Sequence, residues 1–285
     1  MRECSHAGRF GGLRAVNAGA IGATYRKPMT RIRFHGELND LVPRRARNRP
    51  CEFRSAENAT LKHAIEAFGV PHTEVGTVLV HGAPAPLDRR VEPGDTIDVH
   101  PAPAVEPADG PPESAEAPLE PAGARAQPAE RPAFLADAHL GGLARRLRLL
   151  GFDTLLADDA PDEMLAERVD GDGRVLLSRD RELLKHRKVL RGRYVRAQRT
   201  DEQAKEVIRH FGLAPLARPF SRCLECNAPL RSATRQEVLE RLPPDVAATH
   251  DAFTFCTGCG RVYWPGSHWR RLQAVVRALI SEAPR

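Results

Sequence analysis

Between residues 29 and 100 the apolar positions alternate with polar ones in short runs, interrupted by one helical stretch. Arg31-Ile32-Arg33-Phe34 alternates as a half-buried strand does. Thr60 is placed to cap a helix whose apolar residues Leu61, Ala64, Ile65 and Phe68 recur at i, i+3, i+4 and i+7. Val78-Leu79-Val80 leads into a His81-Gly82 turn, and Val91-Glu92-Pro93-Gly94-Asp95 turns into a last strand, Thr96 to Val99. The pattern then stops. In residues 101–132, nine of 32 positions are Pro and nine are Ala, with hardly a large apolar side chain. Such a stretch favours extended conformers and cannot bury a core, which predicts a linker between two domains.

From Phe134 the order becomes strand, helix, strand, helix, the signature of a parallel sheet with crossover helices. Phe134-Leu135-Ala136, Thr154 to Ala157, Val175-Leu176-Leu177 and Tyr194-Val195 read as strands. Leu140, Leu143, Ala144, Leu147 and Leu150 form a helical stripe that leaves Arg145, Arg146 and Arg148 outside it, and Gly151 ends the helix. Pro161 suits the first position of a helix with Leu165, Ala166 and Val169 inward. Thr200 and Gln203 read as a capping box for a helix that buries Ala204, Val207, Ile208 and Phe211.

Charge adds a substrate class. The net charge of the 285 residues is +6, and in 179–199 nine Lys and Arg face only Asp180 and Glu182. A basic stretch beside carboxylates suits a polyanion, because phosphate contacts release counterions. Residues 1–28 are basic and acid-poor, with no apolar centre, and are expected to be a disordered tail or a mis-called start. No run approaches the roughly 18 apolar residues of a membrane span.

Three acids stand out. Asp137 and Asp180 each follow an apolar run and precede a helical pattern, at the carboxyl ends of predicted strands where open α/β sheets bind ligands. Asp162, at 100° per residue, shares a face with Leu165, Ala166 and Val169, while Glu163 and Glu167 point away. Two carboxylates about 4 Å apart repel by roughly 4 kcal/mol at an effective dielectric near 20. A cluster of three is best tolerated around a hard divalent cation, Mg2+ or Mn2+, which takes oxygen ligands and can activate water. The ordinary alternative is that Asp137 and Asp180 cap helices and Asp162 faces a helix dipole.

Asp137-x-x-Leu140-Gly141-x-Leu143-Ala144-Arg145, its continuation to Gly151-Phe152-Asp153, then Asp162-Glu163-x-Leu165, then Leu176-Leu177-Ser178-Arg179-Asp180-Arg181, resembles the PIN-like RNase domain named for the C terminus of the Mut-seven exonuclease. The resemblance spans roughly 133–275. It implies an α/β PIN-like fold with a parallel central sheet and metal-dependent ribonuclease activity, with Asp137, Asp162 and Asp180 as the acidic positions. Arg179 and Arg181, with Arg145 and Arg148, are then expected on substrate phosphates. Bacterial members of this family carry a β-grasp domain in front. Residues 29–100 resemble an α+β, ubiquitin-like β-grasp domain of the sulfur-carrier type. Val99 runs on into His100-Pro101 instead of ending in Gly-Gly, so an interaction or substrate-guiding role with a protein partner is expected.

Cys223-x-x-Cys226 and Cys256-x-x-Cys259 predict one structural, tetrahedral Zn2+. Asn227 and Gly260 follow the second cysteines and tolerate the positive φ that a zinc knuckle needs. Paired CxxC elements without a secretory signal favour a reducing cytoplasm. The aromatic and basic residues from Tyr263 to Arg271 can either stack on RNA bases or pack the ribbon onto the sheet. The expected organisation is a β-grasp domain (29–100), a linker (101–132), a PIN-like RNase domain (133–217), a zinc ribbon (218–275) and a C-terminal helix end or tail (276–285). The expected function is RNA hydrolysis. Its alternative is a non-catalytic RNA-binding or adaptor protein.

Overall fold

Alternation from Arg31 to Phe34 becomes a strand, β1 (Thr30–Phe34), with Ile32 and Phe34 buried and both arginines exposed. This computed structural model describes residues 29–54, 58–104, 131–157 and 162–281, with the backbone alone for Asp162 and Asp170. The expected tail at 1–28 and most of the linker lie outside them. The chain divides into two units, Met1–Ala102 and Pro103–Arg285.

In the first unit β2 (Cys51–Phe53), α1 (Leu61–Ala67), β3 (Val75–Val80), β4 (Ala83–Pro84) and β5 (Thr96–Pro101) follow β1. The sheet order is β2-β1-β5-β3-β4. β1 and β5 are parallel and the remaining pairs antiparallel, a mixed sheet consistent with a ubiquitin-like domain. Thr60 caps α1 by accepting from the His63 amide at 3.3 Å. Asp95, 2% exposed, pins the last turn: it accepts from both Arg89 Nη atoms and from the Glu92 amide. Burial pushes its carboxyl up, but the Arg89 and Glu92 hydrogen bonds outweigh that and hold it below the usual range.

The second unit runs, in chain order, through β6 (Phe134–Ala136), α2 (Gly141–Leu149), β7 (Thr154–Leu156), α3 (Asp162–Asp172), β8 (Val175–Ser178), α4 (Arg181–Lys185), β9 (Gly192–Tyr194) and α5 (Thr200–His210). It continues through β10 (Leu230–Ala233), α6 (Arg235–Val238), α7 (Pro244–Thr249), β11 (Phe253–Cys256), β12 (Val262–Tyr263) and α8 (Ser267–Ser281). The sheet β7-β6-β8-β9 is parallel throughout. Central strands of such a sheet are covered on both faces. Accordingly Phe134 and Ala136 pack with α2, α5 and α8, while Leu135 packs with Leu165, Ala166 and Val169 of α3 and with Leu183 and Leu184 of α4. β10, β11 and β12 form a separate antiparallel sheet beside the cysteines.

One local expectation is corrected. Thr200 is not the cap of α5; Arg199 holds that position without a side-chain bond, and Gln203 is buried, donating to the Ala197 carbonyl at 3.2 Å. Thr200 instead packs against Gly142, where a Cβ would stand 2.6 Å from Thr200 Oγ1. A capping box does form at α6, between Thr234 and Glu237. The segment from 276, expected as a helix end or tail, is helix as far as the described residues run. α8 runs unbroken to Ser281 and buries Val276 and Leu279 in the core beneath the sheet.

Candidate functional site

The strand order β7-β6-β8-β9 reverses direction at β6, because β7 lies on one side of it and β8 on the other. At such a switch point the loops leaving the carboxyl ends diverge and open a crevice. Asp137 leaves β6 there, its amide donating to the Leu177 carbonyl of β8 at 2.9 Å. Asp180 follows β8 by two residues. Ser178 joins them: its hydroxyl donates to Asp137 Oδ2 at 2.7 Å and accepts from the Asp180 amide at 2.9 Å. Both acids also cap helices, as the ordinary alternative required. Asp137 Oδ1 accepts from the His139 amide at 3.4 Å, and Asp180 Oδ1 accepts from Glu182 at 2.7 Å and Leu183 at 3.4 Å. A carboxylate has about four acceptor sites, so these bonds leave capacity on both. Among the described residues neither acid meets a cationic side chain.

Asp162 is the first residue of α3, and its side chain lies outside the described residues. Glu163 and Glu167, expected on the solvent side of that helix, are exposed, with Glu167 paired to Lys188. Ser178 carried a signal in the sequence, as the lone hydroxyl closing an apolar strand two residues before an acid.

The expected phosphate-binding arginines divide. Arg179 is partly exposed and donates to Gln198 Oε1 at 3.3 Å. Arg181 lies over the Tyr194 ring, 5.1 Å from its centroid. Arg145 is exposed and pairs with Glu225 at 3.3 Å. Arg148 is a correction: it is only 5% exposed, donating from Nε to the Thr154 carbonyl at 2.8 Å and from Nη1 to the Leu224 and Glu225 carbonyls at 3.0 and 2.8 Å. A guanidinium so enclosed cannot meet a phosphate. Within the basic run, Arg193 is also buried and Arg196 pairs with Glu206.

The four cysteine sulfurs of Cys223, Cys226, Cys256 and Cys259 lie within 4.8 Å of one another. Two of the separations are 3.7 Å (Cys223 to Cys259) and 3.3 Å (Cys226 to Cys256). Tetrahedral thiolate coordination at about 2.3 Å per bond requires sulfurs at close to this spacing, so the set can hold a metal ion. Asn227 and Gly260 adopt the expected positive φ, 68° and 71°. Burial pushes the Cys223 thiol up, yet amide donors from Cys226 and Glu225 and the Tyr263 hydroxyl at 3.1 Å bring it down to about 6. Burial and the neighbouring thiols push Cys226 up to about 12.

The Mut7-C RNAse domain family matches residues 132–276, about half of the chain. The chain belongs to this family. The Mut7-C ubiquitin family matches residues 27–106. The exonuclease mut-7 homolog of Homo sapiens is 25% identical over 235 residues, covering 55% of this chain and 27% of that protein. The chain thus spans about a quarter of that relative's length. No solved structure matches it.

The stretch matched by the Mut7-C RNAse domain holds both edge acids and all four cysteines, and within it the ribbon is joined to the sheet by polar bonds. Asn227 accepts from the Thr154 amide at 3.0 Å and donates to Asp153 Oδ1 at 2.8 Å. Asp153 is further bound by Arg174 at 2.7 Å and Arg222 at 3.2 Å. Burial pushes the Asp153 carboxyl up, but the Arg174 and Asn227 hydrogen bonds and the Arg222 charge hold it below the usual range. Trp269 stacks on Phe220 at 3.8 Å, and Trp264 packs in the ribbon core. These contacts, with the Tyr263 hydroxyl bonded to Cys223, match the packing alternative of the sequence pattern, although Tyr263, Trp264 and Trp269 stay partly exposed.

Proposed function

We propose that this chain is a divalent-metal-dependent ribonuclease of PIN-like fold. The observation that carries the proposal is the pair Asp137 and Asp180, set at the switch point of the sheet, linked through Ser178, and without a cationic partner among the described residues. Their oxygen-only donor set fits Mg2+ or Mn2+, and Asp162 at the start of α3 is the proposed third ligand. A cation held by these residues supplies charge neutralisation and a water of lowered pKa. The Ser178 hydrogen bond restrains the Asp137 carboxylate. Arg179 and Arg181, which flank Asp180, bind phosphates beside it, and the exposed Arg145 contacts phosphates further along the polyanion, which is RNA. The four cysteines hold a structural Zn2+ with no open coordination position, and the ubiquitin-like unit contacts a protein partner or guides substrate.

Purified chain with Mn2+ is expected to cleave single-stranded RNA, and Asp137→Asn or Asp180→Asn to abolish cleavage. Wild-type protein that binds RNA but never cuts it, under any metal, would sink the nuclease and leave the adaptor. Cys223→Ser is expected to lower zinc content; a full complement of zinc in that variant would refute the ribbon site.

A further inference from the structure

Arg148 brings a positive charge into the interior, and among the described residues no carboxylate hydrogen-bonds to it; burial disfavours its charged form, and the nearby Cys223, Cys226 and Glu225 favour it. Its three described bonds end on carbonyl oxygens, which carry partial charge only. The nearest acid in sequence to those carbonyls, Glu225, is 44% exposed and already engages Arg145 and Arg261. A buried cation without compensating charge is costly. Leu224 and Glu225, whose carbonyls Arg148 grips, are the two residues between Cys223 and Cys226. The guanidinium is therefore fastened to the backbone of a knuckle that contributes half of the four sulfurs.

A divalent cation ringed by four thiolates has a net charge of about minus two. The groups donating to Cys223 are amides, the Tyr263 hydroxyl and the Cys226 thiol, all neutral. We propose that Arg148 is the charge partner and positioning residue of the four-cysteine metal centre: it offsets the thiolate charge and holds the knuckle carbonyls so that Cys223 and Cys226 face the ion. Because its Nε holds the Thr154 carbonyl at the start of β7 and its backbone belongs to α2, the same contact ties metal occupancy to the sheet carrying the candidate nuclease site. This rests on the assignment of zinc to the four cysteines.

The test uses the full chain as wild type, Arg148→Met and Arg148→Lys, with zinc content measured by elemental analysis and affinity by competition with a chromogenic chelator. Outer ligand partners of this kind are typically worth about 10- to 100-fold in metal affinity. A loss of that size is expected in Arg148→Met, with partial recovery in Arg148→Lys, which keeps the charge and loses the fork. Unchanged affinity in a folded Arg148→Met protein, or equal losses in both variants, overturns the charge role. If Arg148→Met is not recovered folded, hydrogen exchange on the wild type decides: chelation should speed exchange in 141–149 and 154–156, and unchanged protection there overturns the coupling. A wild-type chain without metal overturns the zinc assignment itself, and the inference with it.

Discussion

Opposite edges of one parallel sheet carry acids treated in opposite ways. At the amino edge Asp153 is saturated: Arg174, Arg222 and Asn227 all reach it, and its charge binds the ribbon to the strands. At the carboxyl edge Asp137 and Asp180 receive only amides and one hydroxyl among the described residues. Among the described residues the two carboxyl-edge acids thus lack the cationic neighbours that Asp153 has, which is why the proposed cation site is put there. On the proposed reading the contrast distinguishes a structural acid from two metal-binding ones with no appeal to residue type, since all three are aspartates.

The sharpest break of that comparison is to remove charge on each edge. Asp137→Asn or Asp180→Asn should abolish cleavage, because each removes a proposed ligand of the cation that activates water, with thermal stability near wild type. Asp153→Asn should do the reverse, costing about 2 kcal/mol of stability, read by urea denaturation, while the folded fraction keeps its turnover. Ser178→Ala comes next. Losing a hydrogen bond to a charged group costs about 1.5–3 kcal/mol, and here it also frees the Asp137 carboxylate to turn, so cleavage should fall about tenfold. Full activity in Ser178→Ala would show that the bridge does not orient the acid.

Acid titration sharpens the amino edge alone. The Asp153 carboxyl is held below its ordinary value of 3.8, so its contribution to stability is complete above that pH and is lost as pH falls through the depressed folded value. Urea denaturation of wild type and Asp153→Asn between pH 5 and 2.5 should therefore converge at the acid end. Curves that stay parallel would deny the ion pair its role. The smallest effect expected is that of Arg179→Ala, which should weaken RNA binding and lower the salt slope by about one unit, without changing metal dependence.

The legibility of these edges from sequence was uneven. Period carried the strands and most helix faces, and the position of Asp137 and Asp180 after apolar runs placed both acids at the carboxyl edge. The amino-edge knot left no local trace, because Asp153 meets Arg174 and Asn227 across 21 and 74 residues of chain. Arg148 was misplaced for a different reason. It stands four residues after Ala144, on the buried stripe by helical phase, but its charge argued it outward before its partners across the ribbon were known. Thr200 and Gln203 had capping spacing, yet Gln203 reaches the 197–198 carbonyls and the packing of Thr200 against Gly142 took precedence.

The central claim, that Asp137 and Asp180 at the carboxyl edge hold the divalent cation, is tested most directly by titrating zinc-loaded protein with Mn2+ and following free Mn2+ by electron paramagnetic resonance. Wild type and Asp153→Asn should bind the ion and Asp137→Asn should not. Equal binding by Asp137→Asn and wild type would contradict the account.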